Sequence, residues 1–146
     1  MTEPLPTPEF FAPRDMGPRS WGTETLVALS PGKYSLKHLF VKAGSRGGLQ
    51  YHHFKDESAF LVSGTMRLRY DDGSGKLVEK LVGPGASFRF PPGSVHQEEA
   101  ITDCVLIEAS TPHANDRVRM EAVYGIDAGD DNPLPSTRPD EVILIT

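Results

Sequence analysis

From Trp21 to Ser110 the chain alternates short apolar runs with turn signals: Ser30-Pro31-Gly32, Gly44 to Gly48, Ser63-Gly64, Asp72-Gly73-Ser74-Gly75, Gly83-Pro84-Gly85 and Pro91-Pro92-Gly93. Punctuation at this spacing predicts short strands in an all-β meander or barrel. In Thr65 to Tyr70, Met66, Leu68 and Tyr70 share one face and Thr65, Arg67 and Arg69 the other, the period of a strand with one buried and one wet side. Cys104 to Ser110 is almost continuously apolar, as expected of a strand covered on both faces. Before the barrel, Pro4, Pro6, Pro8, Pro13 and Pro18 forbid a helix, and Phe10 and Phe11 are the residues that would dock this arm as an extended edge strand. After Pro112, Asp116 to Tyr124 predicts a short helix or an irregular segment, and Asp127 to Asp140 a polar surface-bound or mobile stretch. Val142 to Ile145 is too apolar to hang free and predicts a terminal strand on this barrel or on a partner. The expected organisation is a proline-rich arm over 1–20, one barrel domain over 21–126 and an extension over 127–146.

Composition narrows the picture. A length of 146 residues suits one domain, and fourteen glycines with thirteen prolines leave little room for long helices. Fifteen basic against twenty acidic residues give a net charge of −5, which argues against nucleic acid as a partner, since phosphate binding needs clustered positive charge. No run of about eighteen apolar residues is present, so no membrane span is expected. The first residues lack the basic-then-apolar order of a signal peptide, and Cys104 is the single cysteine, a buried structural thiol compatible with a reducing cytoplasm.

The chemistry concentrates in two stretches. Gln50 and His52 lie two apart, so on a strand both project to one face, and the following loop lets Glu57 return near them at the start of the next strand. In the second stretch, a turn at Pro91-Pro92-Gly93 places His96 at the opening of a further strand. Two imidazoles, a carboxylate and an amide oxygen suit one divalent transition metal: manganese, zinc, iron or nickel.

These stretches resemble the two motifs of the cupins. The first is Gly, five residues, His-x-His, three or four residues, Glu, six residues, Gly. Here it reads Gly44, five residues, Gln50-x-His52, four residues, Glu57, six residues, Gly64, with Gln in place of the first His. The second motif is matched by Gly85, Pro91, Gly93 and His96, with Ala100 where Asn is usual. Leu49-Gln50-Tyr51-His52-His53 is similar to the cupin domain of mannose-6-phosphate isomerases, as are Trp21-Gly22-Thr23-Glu24, Leu36-Lys37 and Asp116-Arg117-Val118-Arg119-Met120-Glu121 running to Tyr124-Gly125. Two positions depart: Ile126 and Gln97 stand where those isomerases commonly carry Arg.

The resemblance implies an all-β single-domain antiparallel β-barrel of the jelly-roll type, with Gln50, His52, Glu57 and His96 as metal ligands. It implies a small-molecule ligand, a sugar or sugar phosphate, isomerised between aldose and ketose forms, and a homodimer in which terminal arms cover a neighbour's edge strands. Lys37 is the candidate catalytic base, although on parity it shares a face with Leu39 and Val41. Arg89 and Arg119 are the candidate substrate-binding cations. The alternatives are a metal-dependent oxygenase and a non-enzymatic binding or sensing module, the latter favoured by the departures at Ile126 and Gln97. His53, His38 and His113 are expected to take no part in the chemistry. Tyr51 and Tyr124 are expected to pack, because an ordinary phenol near pKa 10 is a poor acid at neutral pH.

Overall fold

The structure, a computed structural model, describes residues 3–128 and 134–146. In chain order its strands are β1 (Arg14–Asp15), β2 (Gly22–Ser30), β3 (Tyr34–Val41), β4 (Gln50–Tyr51), β5 (Glu57–Ser63), β6 (Met66–Asp71), β7 (Leu77–Val82), β8 (Ser87–Phe90), β9 (His96–Ala100), β10 (Cys104–Ser110) and β11 (Val118–Arg119). One four-residue helix, α1 (Glu121–Tyr124), and one 3-10 turn (Pro139–Glu141) complete the elements. They form a six-stranded sheet in the order β1-β2-β3-β10-β5-β8 and a five-stranded sheet in the order β11-β4-β9-β6-β7, every pair antiparallel. This is the jelly-roll barrel that the resemblance implies. No helix among the described residues is long and apolar enough to cross a membrane.

The inward positions of both sheets fill one end of the barrel. Leu61, Met66, Ala100, Cys104 and Leu106 are buried together, with Leu39, Val41 and Phe88 packed against them. Met66 and Leu68 are buried on β6 while Arg67 and Arg69 face outward to Glu99 and Glu79, as the period-two pattern requires. The other end of the barrel holds the polar side chains.

Three expectations are corrected. Phe10 and Phe11 do not dock on their own chain: residues 3–15 are all exposed, Phe10 is 97% exposed, and the edge strand of the arm is Arg14–Asp15, paired with Leu26 and Thr25. Cys104–Ser110 is covered on its inner face only, since its two neighbours β3 and β5 occupy its edges and among the described residues no second layer lies outside them. Val142 to Ile145 forms no strand. Leu144 makes a single bridge to His113, and Ile145 is buried with its amide donating to the Pro112 carbonyl at 2.7 Å. Within the polar stretch, positions 129–133 lie outside the described residues, whereas Thr137 is buried and its amide donates to the Arg117 carbonyl at 2.8 Å.

Candidate metal centre

Strand pairing sets the first two ligand positions. Gln50 lies opposite His96 across the β4–β9 ladder, so both enter the barrel at one level. After Tyr51 the chain leaves the strand, and the loop that follows is gathered by one buried carboxylate. Asp116 accepts the amides of His53 at 2.8 Å, Phe54 at 2.6 Å and Lys55 at 2.8 Å. Burial works to raise the Asp116 carboxyl, but these three amides outweigh it and hold it below its ordinary value. The Gly93 amide donates to the His52 carbonyl at 2.9 Å, which ties the first loop to the second turn. Glu57 then opens β5 and points inward.

The three side chains converge. His52 Nε2 is 3.4 Å and His96 Nε2 3.1 Å from Glu57 Oε1, and one donor atom from each residue lies within 4.8 Å of the others. All three are buried. Both imidazoles are fixed from behind: His52 Nδ1 donates to the Asp116 carbonyl, and His96 Nδ1 donates to the Ser94 carbonyl at 2.9 Å. Phe90 stacks on the His96 ring with centroids 3.9 Å apart. A carbonyl can only accept, so each Nδ1 carries a proton, and Nε2 is the atom each ring would offer, in its neutral form, to a metal at the shared centre. Two lone pairs and a carboxylate oxygen facing one another call for a cation. Bond lengths of about 2.0–2.2 Å to a divalent metal place neighbouring ligands about 2.8–3.6 Å apart in octahedral or tetrahedral geometry, which the two distances match. The residues present fit the metal.

Charge around the centre is arranged in a row that the spacing of the motifs did not reveal. Lys55 Nζ lies 2.9 Å from Glu57 Oε2 and 3.3 Å from Glu108 Oε1. Burial would lower the Lys55 ammonium, but Glu108 and Glu57 outweigh it and hold it above its ordinary value. Burial likewise works to raise Glu57, and the Lys55 ammonium outweighs it and holds it well below the usual carboxylate range. Glu98 is pushed up to about 8, by burial first and then by the negative charges of Glu57 and Glu108. Glu98 follows His96 by two residues on β9, a parity signal available in the sequence. Lys55 meets Glu108 only because β5 pairs with β10, and no local signal announces that pairing.

The centre opens into two joined recesses. The inner one, about 170 Å³, is lined by His52, Lys55, Glu57, His96, Glu98 and Glu108. The outer one, about 450 Å³, carries Arg46, Arg117 and Arg119 beside Trp21. Gly47, Gly48, Gln50 and Glu98 line both. Gly48 is glycine for a reason of space: a Cβ there would stand 2.9 Å from Arg119 Cζ, so its absence lets the guanidinium lie across the backbone. Arg119 Nε donates to Glu121 Oε1 at 2.6 Å, which fixes that orientation.

Of the cations expected to meet substrate, Arg119 therefore lines the outer recess and Arg89 does not. Arg89 alternates with the inward Phe88 and Phe90, faces outward, and donates twice to the Asp56 carboxylate at 2.9 and 2.8 Å. Lys37 points inward as parity required, but its Nζ is held 2.9 Å from Glu24 Oε1, and it lines neither recess. Gln97 faces away from the centre, accepting from Arg69 at 2.8 Å and donating to the Gly47 carbonyl at 2.8 Å. A cation at position 97 would therefore not face the ligands.

The family described as mannose-6-phosphate isomerase C-terminal matches residues 14–110. The alginate biosynthesis protein AlgA of Pseudomonas aeruginosa is 31% identical over 112 residues, covering 73% of this chain and 22% of that protein. The chain thus spans about a fifth of the length of the curated relatives it matches. Among solved structures, the capsular polysaccharide assembling protein CapF of Staphylococcus aureus superposes with a TM-score of 0.60 at 23% identity, over 69% of this chain and 28% of that one. Oxalate decarboxylase of Bacillus subtilis superposes with a TM-score of 0.64 at 17% identity, over 92% and 43%. At these identities the solved structures establish the fold alone.

Proposed function

The chain belongs to the family of mannose-6-phosphate isomerase C-terminal domains, a family of cupins, and from that premise we propose that it is a metal-dependent aldose–ketose isomerase acting on a small anionic sugar. One observation carries the reading: His52 Nε2, Glu57 Oε1 and His96 Nε2 converge at the floor of a recess whose outer part bears three arginines. Gln50, opposite His96 and lining both recesses, would be the fourth ligand through its amide oxygen. When bound, a divalent metal supplies Lewis-acid polarisation of the sugar carbonyl and its neighbouring hydroxyl.

The protein's own groups do the rest. Arg119, held by Glu121, and Arg117 and Arg46 beside it receive the anionic end of the substrate, a phosphate or a carboxylate, in the outer recess. Glu98 lines both recesses and faces the same way as His96, so its carboxylate, the form that predominates above about pH 8, takes the proton leaving the carbon next to the carbonyl and returns it to the former carbonyl carbon. The hydroxyl proton passes meanwhile to the former carbonyl oxygen. Lys37, engaged by Glu24, is not given this role. The reading places the protein in the cytoplasm, where the buried thiol of Cys104 stays reduced.

The test is isotopic. Metal-loaded protein incubated with hexose and pentose phosphates in D₂O should exchange the hydrogen on the carbon beside the carbonyl and interconvert the two sugars, and Glu98→Gln should lose at least about 100-fold of that rate. Absence of both exchange and interconversion across the panel, in protein shown to hold metal, overturns the proposal.

A further inference from the structure

The inside of a small barrel is ordinarily filled with side chains, because apolar space left open forfeits packing and costs stability. Here part of it stays open. On β3, Leu39 and Val41 share the inward parity of Lys37, and Leu39 stands opposite Leu106 of β10. Both Leu39 and Val41 remain half-buried although they point into the barrel. They face the outer recess of about 450 Å³, which Leu106 and, from the other sheet, Met66 also line. Met66 and Leu106 are each 1% exposed, so this apolar wall is the deep end of the recess. A sugar hydroxyl finds no hydrogen-bond partner on these four side chains, and the isomerase reading leaves them unused.

The mouth of the same recess is cationic. Arg46, Arg117 and Arg119 stand half-buried around it, with Leu134 at the rim. Arg119 is paired with Glu121, whereas Arg46 and Arg117 make no ion pair among the described residues. Burial, and then the like charge of Arg119, push the Arg117 guanidinium below its ordinary value, so an anion beside it would be stabilised. An apolar chamber of a few hundred Å³ with a few charged groups at one end is the usual form of a small-molecule site, in which the charges fix orientation and the walls supply affinity.

We propose that the outer recess binds a medium-chain aliphatic carboxylate, with its hydrocarbon tail among Leu39, Val41, Met66 and Leu106 and its carboxylate on Arg46 and Arg117 at the mouth. The order of burial sets this direction, tail inward and charge outward. Glu98 lines the recess as well, and its like charge weighs more heavily against a phosphate dianion than against a carboxylate. His52, Glu57 and His96 line the inner recess and not this one, so the site needs no metal. The inference goes beyond the isomerase reading and can fail or hold separately from it.

Trp21 is the single tryptophan of the sequence and lines the recess, so its fluorescence reports occupancy. Chelator-stripped full-length protein is titrated with butyrate, hexanoate, octanoate and the neutral hexanol, by fluorescence and by isothermal calorimetry. One carboxylate should bind per chain, and each added methylene should strengthen binding about three- to fourfold. Hexanol should bind at least about tenfold more weakly than hexanoate, and Arg46→Gln with Arg117→Gln should weaken hexanoate by a similar factor. Val41→Phe, which fills the deep end, should weaken octanoate at least about tenfold and butyrate far less. The arginine pair lies at the mouth, outside the packed core, and keeps the test decisive if Val41→Phe fails to fold. Absence of both heat and fluorescence change overturns the proposal, as does an affinity that does not rise with chain length. So does hexanol bound as tightly as hexanoate, or hexanoate bound undiminished by the arginine variant.

Discussion

Lys55 sits between two carboxylates, 2.9 Å from Glu57 Oε2 and 3.3 Å from Glu108 Oε1, and so leaves Glu57 a single oxygen to turn toward the imidazoles. Lys55→Met keeps most of the stem and removes the charge, which frees Glu57 to rotate and leaves Glu108 buried without its partner. Metal affinity should fall about 10–100-fold, as for other changes behind a ligand, measured by competition with a chromophoric chelator. An unchanged affinity would show that Lys55 only neutralises charge. At the same scale, parity and motif spacing brought Gln50, His52, Glu57 and His96 into view, because each lies at a strand end where direction follows from position. They did not separate Lys37 from Glu98. Both point inward, and only the partner of each, Glu24 for Lys37 and the open recess for Glu98, tells them apart.

Between Tyr51 and Glu57 the ligand loop has almost no strand pairing of its own and depends on Asp116, which accepts three of its amides. Asp116→Ala should cost roughly 2–4 kcal/mol, since it strands buried amide donors that were bonded to a charge. Urea titration would show this as a lower midpoint with an unchanged slope, and an unshifted midpoint would mean that water replaces the carboxylate. The turn closing the first motif gives a paired test. Gly64 has φ +93° and a Cβ there would lie 2.2 Å from the Asp103 carbonyl oxygen, whereas Gly73 has φ +99° with nothing within 4 Å. Gly73→Ala should cost only the strain of a left-handed conformation, about 1–2 kcal/mol, and Gly64→Ala distinctly more in the same assay. Equal losses would remove the packing argument. Turn residues made these elements legible in the sequence. The apolar run of Cys104–Ser110 misled, because outward Val105 and Ile107 read as a second buried face when no layer among the described residues covers them.

Across the whole molecule, the barrel interior carries a second charged group at a distance from the ligands. Glu24 lies 2.9 Å from Lys37 and 2.8 Å from Arg19. Burial works to raise its carboxyl, but Lys37 and Arg19 outweigh it and hold it below its ordinary value of 4.5. A carboxylate that binds its proton less readily folded than unfolded contributes stability above the unfolded value and loses it as pH falls through the folded one. Thermal midpoints should therefore drop on acidification below about pH 4.5, and Glu24→Gln should flatten that part of the profile. An identical profile in the variant would assign the acid sensitivity elsewhere. The architecture was legible because turn spacing and two motifs pointed to an antiparallel barrel, while the ion pairs Lys55–Glu108 and Arg89–Asp56 were not, since each joins segments distant in sequence. The account as a whole rests on one cation held by His52, Glu57 and His96. The direct measurement is Co²⁺ titration of chelator-stripped protein followed by visible absorption. One equivalent per chain should bind with ligand-field bands that vanish in His52→Ala and in His96→Ala. A wild type that takes up no Co²⁺, or a His96→Ala variant that binds as tightly, would contradict it.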